Sequence, residues 1–210
     1  MNFNQITQAV KENWNSPISY EELFTMKSLG LIRGTVRSFK PKNGGLFEVI
    51  VNITRPSKKE DSVTVIVPNT LLQQNLTNGC RIEVIGEYIS DNVYDELGVP
   101  SLKMFLRARD LNFLDESDNS NDQNLFFLEG EILKTFTQVT NKKRVLNLLL
   151  GVTTSSNKQN FSYIPCMVRK EISEPLFYST EGTKIRIMGR LKSYKLFSNT
   201  VHQIAIDKVY

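Results

Sequence analysis

Apolar and polar residues alternate along most of the chain after about residue 30, and Val, Ile, Leu and aromatic residues fill the apolar positions. This two-residue period, bounded by Gly, Asn, Ser and Pro, is typical of half-buried β-strands. The pattern predicts two sets of five strands. The first set is a strand around Gly34 and strands over 46–54, 62–67, 81–89 and 102–113. The second set is a strand around Gly130 and strands over 144–153, 161–168, 184–192 and 200–209.

The two sets repeat each other in sequence. Thr77–Gly86 aligns with Thr180–Gly189 at an offset of 103 residues, and Ala108–Phe113 aligns with Ala205–Tyr210 at an offset of 97. Two further blocks match upstream in the same order, at offsets of 96 and 99. Offsets that drift by a few residues are what loop insertions produce, so we interpret the chain as a tandem repeat.

A short helix is predicted between the third and fourth strands of each repeat. It covers Asn69–Asn75 in the first repeat, with Asn69 as its N-cap, and Lys170–Tyr178 in the second. Five strands with a helix between the third and fourth are the order of the OB-fold, a barrel used for oligonucleotides and oligosaccharides. The predicted fold class is therefore all-β: two tandem five-stranded OB-fold barrels, each with one short helix, plus a short N-terminal helical segment.

Charge and composition divide the chain into four parts. Residues 1–29 form the predicted N-terminal helical extension, and 30–114 form the first OB-fold. Residues 115–124 carry four acidic and no basic residues and are predicted to be a solvated linker. Residues 125–210, the second OB-fold, hold 13 basic and six acidic residues, a net charge of +7. The second OB-fold is thus the part suited to an anionic partner.

Composition excludes several function classes. With 40% hydrophobic and 23% charged residues, the chain has the composition of an ordinary globular protein. The sequence shows no secretory signal and no apolar stretch long enough for a membrane span, so we expect a cytoplasmic protein without membrane contact. One His and two separated Cys leave little for a metal site or a Cys–His pair. We expect no cofactor and no enzymatic activity.

The third strand of the second repeat separates a core face from an exposed face. Because alternate residues of a strand point to the same side, Ile164, Cys166 and Val168 are predicted to be core. The other face carries Phe161, Tyr163, Pro165, Met167 and Arg169. An exposed aromatic ring can stack on any nucleic acid base, which makes Tyr163 and Phe161 candidate contacts.

The fourth strand of the second repeat and its following hairpin add positive charge. With Ile185 and Ile187 inward, basic residues point outward, whereas the first repeat has Glu83 and Glu87 at matched positions. Lys and Arg with interleaved aromatics suit a phosphate backbone and its bases; the alternative is an ordinary solvated face. The predicted nucleic-acid-binding residues are Tyr163, Phe161, Arg169, Lys184, Arg186, Arg190, Lys192, Tyr194, Lys195 and Phe197.

The second repeat resembles the bacterial single-stranded DNA-binding protein (SSB) family. Ser162–Val168, a helix and Glu181–Ser193 follow that family's third strand, helix and fourth strand. The resemblance covers 125–210 well and the first repeat only through the internal repeat. It implies that Tyr163 occupies a base-stacking position and that the chain forms a homodimer presenting four OB domains. This sequence stops at Tyr210 on the last strand, so we do not expect recruitment through the family's acidic-hydrophobic tail.

The sequence therefore predicts a non-enzymatic protein that binds single-stranded DNA without sequence preference, in replication, recombination or mobile-element transfer. Replication or recombination proteins are expected as further partners. The alternatives are an OB-fold protein–protein assembly scaffold and a single-stranded RNA binder. The first OB-fold is interpreted as mainly an assembly or spacing domain. On that hypothesis, charge reversal at Arg186 and Arg190 abolishes binding, whereas Lys58 and Lys59 can be lost at little cost.

Overall fold

A computed structural model of the chain describes residues 26–72, 74–94, 98–115, 121–140, 143–154, 157–168, 176, 179–196 and 199–210. Almost all of this part of the chain is strand, as the alternating pattern predicts. The first five strands are β1 (Ser28–Lys42), β2 (Leu46–Thr54), β3 (Glu60–Pro68), β4 (Arg81–Tyr94) and β5 (Pro100–Phe113). The next five are β6 (Gln123–Thr140), β7 (Lys143–Thr154), β8 (Asn157–Val168), β9 (Lys184–Leu196) and β10 (Asn199–Val209).

Hydrogen-bonded pairing closes each set of five strands on itself. In the first set, β1 pairs antiparallel with both β2 and β4, β2 pairs with β3, β3 runs parallel to β5, and β5 pairs with β4. The second set repeats this order through β6, β7, β8, β10 and β9, and β9 returns to β6. We call these the first ring and the second ring. Closure leaves each strand of a ring paired on both sides, which removes the exposed sheet edges.

The core lies inside the rings and is built from the alternate positions of each strand. Ile164, Cys166 and Val168, predicted to be core, are all buried, and the residues between them are more exposed. In the first ring, Val63 and Val65 of β3 occupy the corresponding buried positions. The β-branched and Leu side chains of these strands suit a pleated surface with one buried face.

The two rings are joined by antiparallel pairing of β1 with β6, from Ser28 opposite Leu128 to Arg33 opposite Gln123. At the centre of this register, Gly30 lies opposite Phe126, and the repeat offset of 96 maps Gly30 onto Phe126 itself. The pairing therefore relates the two repeats by a local two-fold axis.

The aromatic ring of Phe126 occupies the space that a side chain at position 30 would need. A Cβ at Gly30 would lie 2.5 Å from Leu106 Cδ1 and 2.8 Å from Phe126 Cε1. The Phe126 ring packs against that of Tyr88, with centroids 4.7 Å apart and planes tilted by 60°. Because Phe126 belongs to the second ring and Tyr88 to the first, this contact makes the cores of the two rings continuous.

Two polar junctions on either side of the axis have the same geometry. At one, the Ser90 N–H donates to Ser162 Oγ at 3.2 Å, and the Tyr163 N–H donates to Ser90 Oγ at 2.7 Å. At the other, the Ser193 N–H donates to Asp61 Oδ1 at 2.8 Å, and the Ser62 N–H donates to Ser193 Oγ at 3.0 Å. The junctions link β4 to β8 and β3 to β9, so each ring contacts the other through equivalent strands.

Asp61 is the most connected residue of the second junction. Its carboxylate is buried, accepts two hydrogen bonds from the Arg55 guanidinium and also accepts from the Asn124 side chain at 3.4 Å. The matched residue in the second ring is Ser162, so only one of the two junctions contains a carboxylate. Taking away a partner of a buried charge is costly, which makes Asp61 a structural residue.

The end of the predicted acidic linker is part of the fold. Strand β6 begins at Gln123, and Asp122 accepts hydrogen bonds from the Thr54 N–H at 2.8 Å and from Arg81 at 2.9 Å. The expectation that all of 115–124 is solvated is therefore wrong for its last residues. Residues 116–120 lie outside the described residues. The hydrogen-bonded carboxylate of Asp122 holds the start of β6 against the first ring.

The helix predicted over Asn69–Asn75 is only a 3-10 turn, Asn69–Leu71. The N-cap position is occupied by Pro68, without a side-chain capping hydrogen bond, and not by the predicted Asn69. The Asn69 N–H donates instead to the Gly45 carbonyl at 2.8 Å, and Leu72 returns to an extended conformation. Packing of Leu71, Leu72 and Leu76 against the core thus overrides the local helical preference.

Two other predicted helices fall mainly outside the described residues. These are Lys170–Tyr178, of which Leu176 is described and buried, and the extension over 1–29. The last two residues of that extension belong to β1, which starts at Ser28. In the part of the chain that is described, no helix has the length and apolar character needed to cross a membrane.

We predict that Gly30→Ala destabilises the protein by about 1–3 kcal/mol, because the new Cβ must displace Phe126 or Leu106 in a filled core. Phe126→Leu should relieve part of this cost. In a double-mutant cycle measured by urea unfolding, the two substitutions should couple by about 1 kcal/mol. Full additivity of the two free-energy changes would contradict the packing described.

Candidate nucleic-acid interface

An apolar surface covers the outward face of β7 and β8 and the adjoining part of β6 in the second ring. We call it the platform. Phe136 is 52% exposed, Tyr163 39% and Phe161 37%. These exposed rings lie on the same outward face, with Phe161 and Tyr163 toward one end and Phe136 toward the other. Exposed rings of this kind are suited to contact with flat, apolar groups. The platform residues are Phe136, Leu149, Phe161, Tyr163, Pro165 and Met167.

The register of the strands explains how the platform forms. Tyr163 lies opposite Gly151, Pro165 opposite Leu149, and Met167 opposite Asn147. Residues directly opposite each other in antiparallel strands point to the same side of the sheet. The absence of a side chain at Gly151 matters, since a Cβ there would lie 3.0 Å from Phe161 Cγ. Gly151 thus lets the Phe161 ring lie against the sheet.

A groove of about 260 Å³ adjoins the platform where β6 leaves β7 to pair with β1. Phe161 and Lys184, both predicted contacts, lie on its walls together with Lys27 and Glu129. The groove therefore brings an aromatic ring, two ammonium groups and two carboxylates to one place, with Lys27 Nζ 3.9 Å from Glu129. The described residues that line it are Lys27, Glu129, Gly130, Glu131, Gly151, Thr153, Phe161 and Lys184.

Phe136 is the aromatic platform residue that the sequence analysis missed. A strict two-residue period starting from the buried Ile132 would place Phe136 inside the barrel. A register shift between Ile132 and Lys134, however, moves Lys134 and Phe136 to the outward face. Lys134 was the available signal, because a lysine in phase with core residues marks a β-bulge.

Arg186 and Arg190, two predicted contacts, each pair with a carboxylate of the same ring. Arg186 Nε donates to Glu129 at 2.5 Å, and Arg190 donates to both carboxylate oxygens of Asp207 at 2.7 and 3.1 Å. The hydrogen bond that Arg190 donates to Asp207 raises the pKa of Arg190. Both arginines are partly exposed, but part of their charge is balanced within the chain.

The matched positions of the first ring carry the same ion pairs with the charges exchanged. Arg33 pairs with Glu83, and Arg109 lies 3.6 Å from Glu87. Arg109 and Asp207 occupy equivalent bulges in the β4–β5 and β9–β10 registers, one residue away from the offset of 97 that the sequence alignment gives. Glu83 and Glu87 correspond to Arg186 and Arg190, so the charged residues that differ between the two rings are each paired with an opposite charge in the same ring. The net positive charge around β9 is consequently smaller than the strand's own sequence indicates.

The remaining predicted contacts lie on β9 or outside the described residues. Tyr194 is 44% exposed, and its hydroxyl lies 3.5 Å from Gln203 Oε1. Lys195 is exposed beside it, whereas Lys192 is half-buried. Arg169 and Phe197 fall outside the described residues. The described contacts thus form two groups, one on the platform and groove and one on the β9–β10 hairpin.

The first ring has a different surface at the positions equivalent to the platform. Lys40 and Glu48 replace Phe136 and Asn147, and Ser62 replaces Tyr163. Three ammonium groups lie around the nearly buried Glu48 carboxylate: Lys103 Nζ at 2.8 Å, Lys40 Nζ at 2.9 Å and Lys42 Nζ at 3.5 Å. We call Lys40, Lys42 and Lys103 the lysine triad.

The triad controls the ionisation of Glu48. Burial alone raises the pKa of this carboxyl, but hydrogen bonds and charge from Lys103 and Lys40 outweigh burial and lower the pKa to about 2. The carboxylate is thus ionised wherever the protein is folded near neutral pH.

No protein-family model and no curated protein matches the sequence. The wild-type single-stranded DNA binding protein from Thermus aquaticus is similar in structure, with a TM-score of 0.65 at 16% identity, over 87% of this chain and 91% of that chain. A deletion and point variant of the same protein gives a TM-score of 0.66, also at 16% identity, over 87% of this chain and 93% of that chain. The chain therefore has an SSB-like OB-fold.

We predict that Glu48 stabilises the fold above about pH 4.5 and that this contribution is lost as the pH falls toward 2, because the folded-state pKa lies below the ordinary value of 4.5. Allowing for screening around the exposed lysines, the loss is about 2 kcal/mol. Urea unfolding of the wild type and of Glu48→Gln at pH 7 and pH 3 measures it. Lys103→Gln should shift the loss to higher pH, and an unchanged pH dependence in both variants would contradict the assignment.

Proposed function

We propose that this protein binds single-stranded DNA without sequence preference, through stacking of bases on the platform and neutralisation of phosphates by nearby cations. We further propose that it is a tandem of two OB-fold barrels, residues 30–114 and 125–210, with no catalytic activity. The exposed aromatic face of β7 and β8 carries the proposal. In OB-folds, the face of the second and third strands is where oligonucleotides bind, and β7 and β8 are those strands of the second ring.

Stacking supports binding to a single strand rather than to a duplex. Every base has a π-face, and each stacked base contributes about 1–3 kcal/mol, but in a duplex these faces are covered by neighbouring bases. Phe136, Phe161 and Tyr163 provide three exposed rings on one surface. The first ring has Lys40, Glu60 and Ser62 at the matched positions, so we assign base contact to the second ring.

Phosphate contact is the second component of the proposal. Lys184 lies in the groove beside Phe161, and Lys195 extends from the β9–β10 hairpin. We retain Arg186, Arg190 and Lys192 as proposed contacts, with a smaller contribution from the two arginines because each already has a carboxylate partner. Tyr194 is a proposed stacking residue of the hairpin. Arg169 and Phe197 remain proposed contacts from the sequence.

We propose that the protein acts in replication, recombination or mobile-element transfer, with proteins of those processes as further partners. A homodimer would present four OB domains, as the family resemblance implies. It would have twice the chain mass of 24.0 kDa. The outward side chains Leu29, Leu31, Ile85 and Phe127 at the centre of the β1–β6 pairing are already buried in the single chain, so a dimer has to use another surface.

An assembly scaffold is the second candidate function, favoured by one observation. The β4–β5 hairpin of the first ring exposes a group of apolar side chains, and surface groups of this kind mark interaction sites. They are Val93, Tyr94, Val99 and Leu102. A scaffold would bind oligo-dT no better than it binds heparin, which separates the two candidates. Oligo-rU tested beside oligo-dT separates DNA from RNA.

We predict that Phe161→Ala and Tyr163→Ala each weaken binding of oligo-dT by about 5- to 150-fold, the equivalent of one lost stacking contact. Phe136→Ala should act in the same range. Fluorescence anisotropy at fixed salt measures the dissociation constants.

Phe39→Ala is the matched control for the platform substitutions, since it removes from the first ring an aromatic side chain that is 37% exposed, as Phe161 is. It should leave the dissociation constant for oligo-dT within about twofold of the wild type, because surface truncations away from a contact change little. Equal losses in the control and in the platform variants would contradict the assignment of base contact to the platform.

A further inference from the structure

The lysine triad has more positive charge than its own ion pairs require. Three ammonium groups surround one carboxylate, an excess of two charges among these four residues, and Asp91 lies opposite Lys103 in the β4–β5 register. The Glu48 side chain is 9% exposed, whereas the side chains of Lys40, Lys42 and Lys103 are 67%, 45% and 41% exposed. The carboxylate is therefore enclosed, and the cations face solvent above it.

Glu48 holds the three lysine side chains in place. A free lysine loses up to about 2 kcal/mol of side-chain entropy when it is immobilised, and this loss opposes binding to a phosphate. Lys40 and Lys103 are already held by contacts of 2.9 and 2.8 Å to Glu48. Each ammonium has three N–H donors, so one bond to Glu48 leaves others for an anion. The arrangement lowers the entropy cost of contacting a second anion.

The triad lies at the position of the first ring that is equivalent to one end of the platform. Lys40 opposite Glu48 in β1 and β2 corresponds to Phe136 opposite Asn147 in β6 and β7. Lys42 follows on β1, and Lys103 reaches Glu48 from β5. The equivalent face of each ring therefore carries aromatic side chains in the second ring and clustered ammonium groups in the first, and the two-fold axis of the β1–β6 pairing relates the two faces.

We propose that the lysine triad is a phosphate-binding site for the same single strand whose bases stack on the platform. This inference rests on the proposed function and revises the role of the first ring from a spacing domain to a domain that holds the backbone. A strand long enough to leave the platform would contact the triad through its phosphates, and a shorter strand would occupy the platform alone.

The salt dependence of binding tests this proposal. For single strands, the log–log slope of affinity against salt changes by about 0.7 for each phosphate contact. Lys40→Gln with Lys103→Gln should therefore reduce the magnitude of the slope by about 1.4 for oligo-dT of about 40 nucleotides. Between about 50 and 200 mM salt, the loss of affinity should become about sevenfold smaller than in the wild type. With oligo-dT of about 10 nucleotides, the slope should not change.

Lys58→Gln with Lys59→Gln is the matched control, because it removes two charges from the exposed β2–β3 turn of the same ring. A triple variant that adds Glu48→Gln to the two triad substitutions avoids leaving a buried carboxylate with one partner. It should show the same reduced slope. Urea midpoints of all variants verify that the fold is retained.

Each result has a defined meaning. A reduced slope confined to the triad variants and to the long oligonucleotide supports the phosphate site. A wild-type slope in both triad variants overturns the site but leaves the proposed function intact. Equal reductions in the triad and control variants also overturn it, since the effect would then come from overall charge. If the wild-type protein binds single strands no more tightly than duplex DNA, both the proposed function and the triad proposal are wrong.

Discussion

The antiparallel pairing of β1 with β6 is the constraint on which the rest of the structure depends. It places Gly30 opposite Phe126, and the absence of a side chain at Gly30 gives the Phe126 ring room to pack against Tyr88 of the first ring. Hydrogen bonds fix the register of the two strands, while the aromatic contact joins the two cores. The orientation of the platform relative to the lysine triad follows from this pairing, since each surface belongs to a closed ring.

The two rings share one strand order and pairing but differ on their surfaces. Their bulges and junctions also correspond. At matched ion pairs, however, the acidic and basic residues change places, as in Arg33–Glu83 and Glu129–Arg186. The outward face of the second and third strands also differs, being aromatic in the second ring and polar or basic in the first. Core positions must retain apolar residues to preserve packing, whereas outward positions can change at little cost to stability. Two rings with the same strand order can therefore carry two surfaces with different chemistry.

The sequence predicts the strands and the core well, because a two-residue period is local information. It also places Phe161 and Tyr163 on the exposed face. Phe136 is missed since its orientation depends on a bulge that only the pairing with β7 defines. The helix expected at Asn69 fails for a similar reason, because the packing of nearby leucines decides that segment. The partners of Arg186 and Arg190 come from other strands, so the strand's own sequence does not show that its charge is balanced.

We propose that exposed aromatic rings, assisted by nearby cations, select the unpaired bases of a single strand. The most direct test is a fluorescence-anisotropy titration of the wild-type chain with labelled oligo-dT and with duplex DNA of the same length, at two salt concentrations. We expect binding to the single strand that weakens with salt and remains tighter than binding to the duplex at both concentrations. Equal affinity for the two DNA forms would contradict it, because the positive charge would then act without base contact.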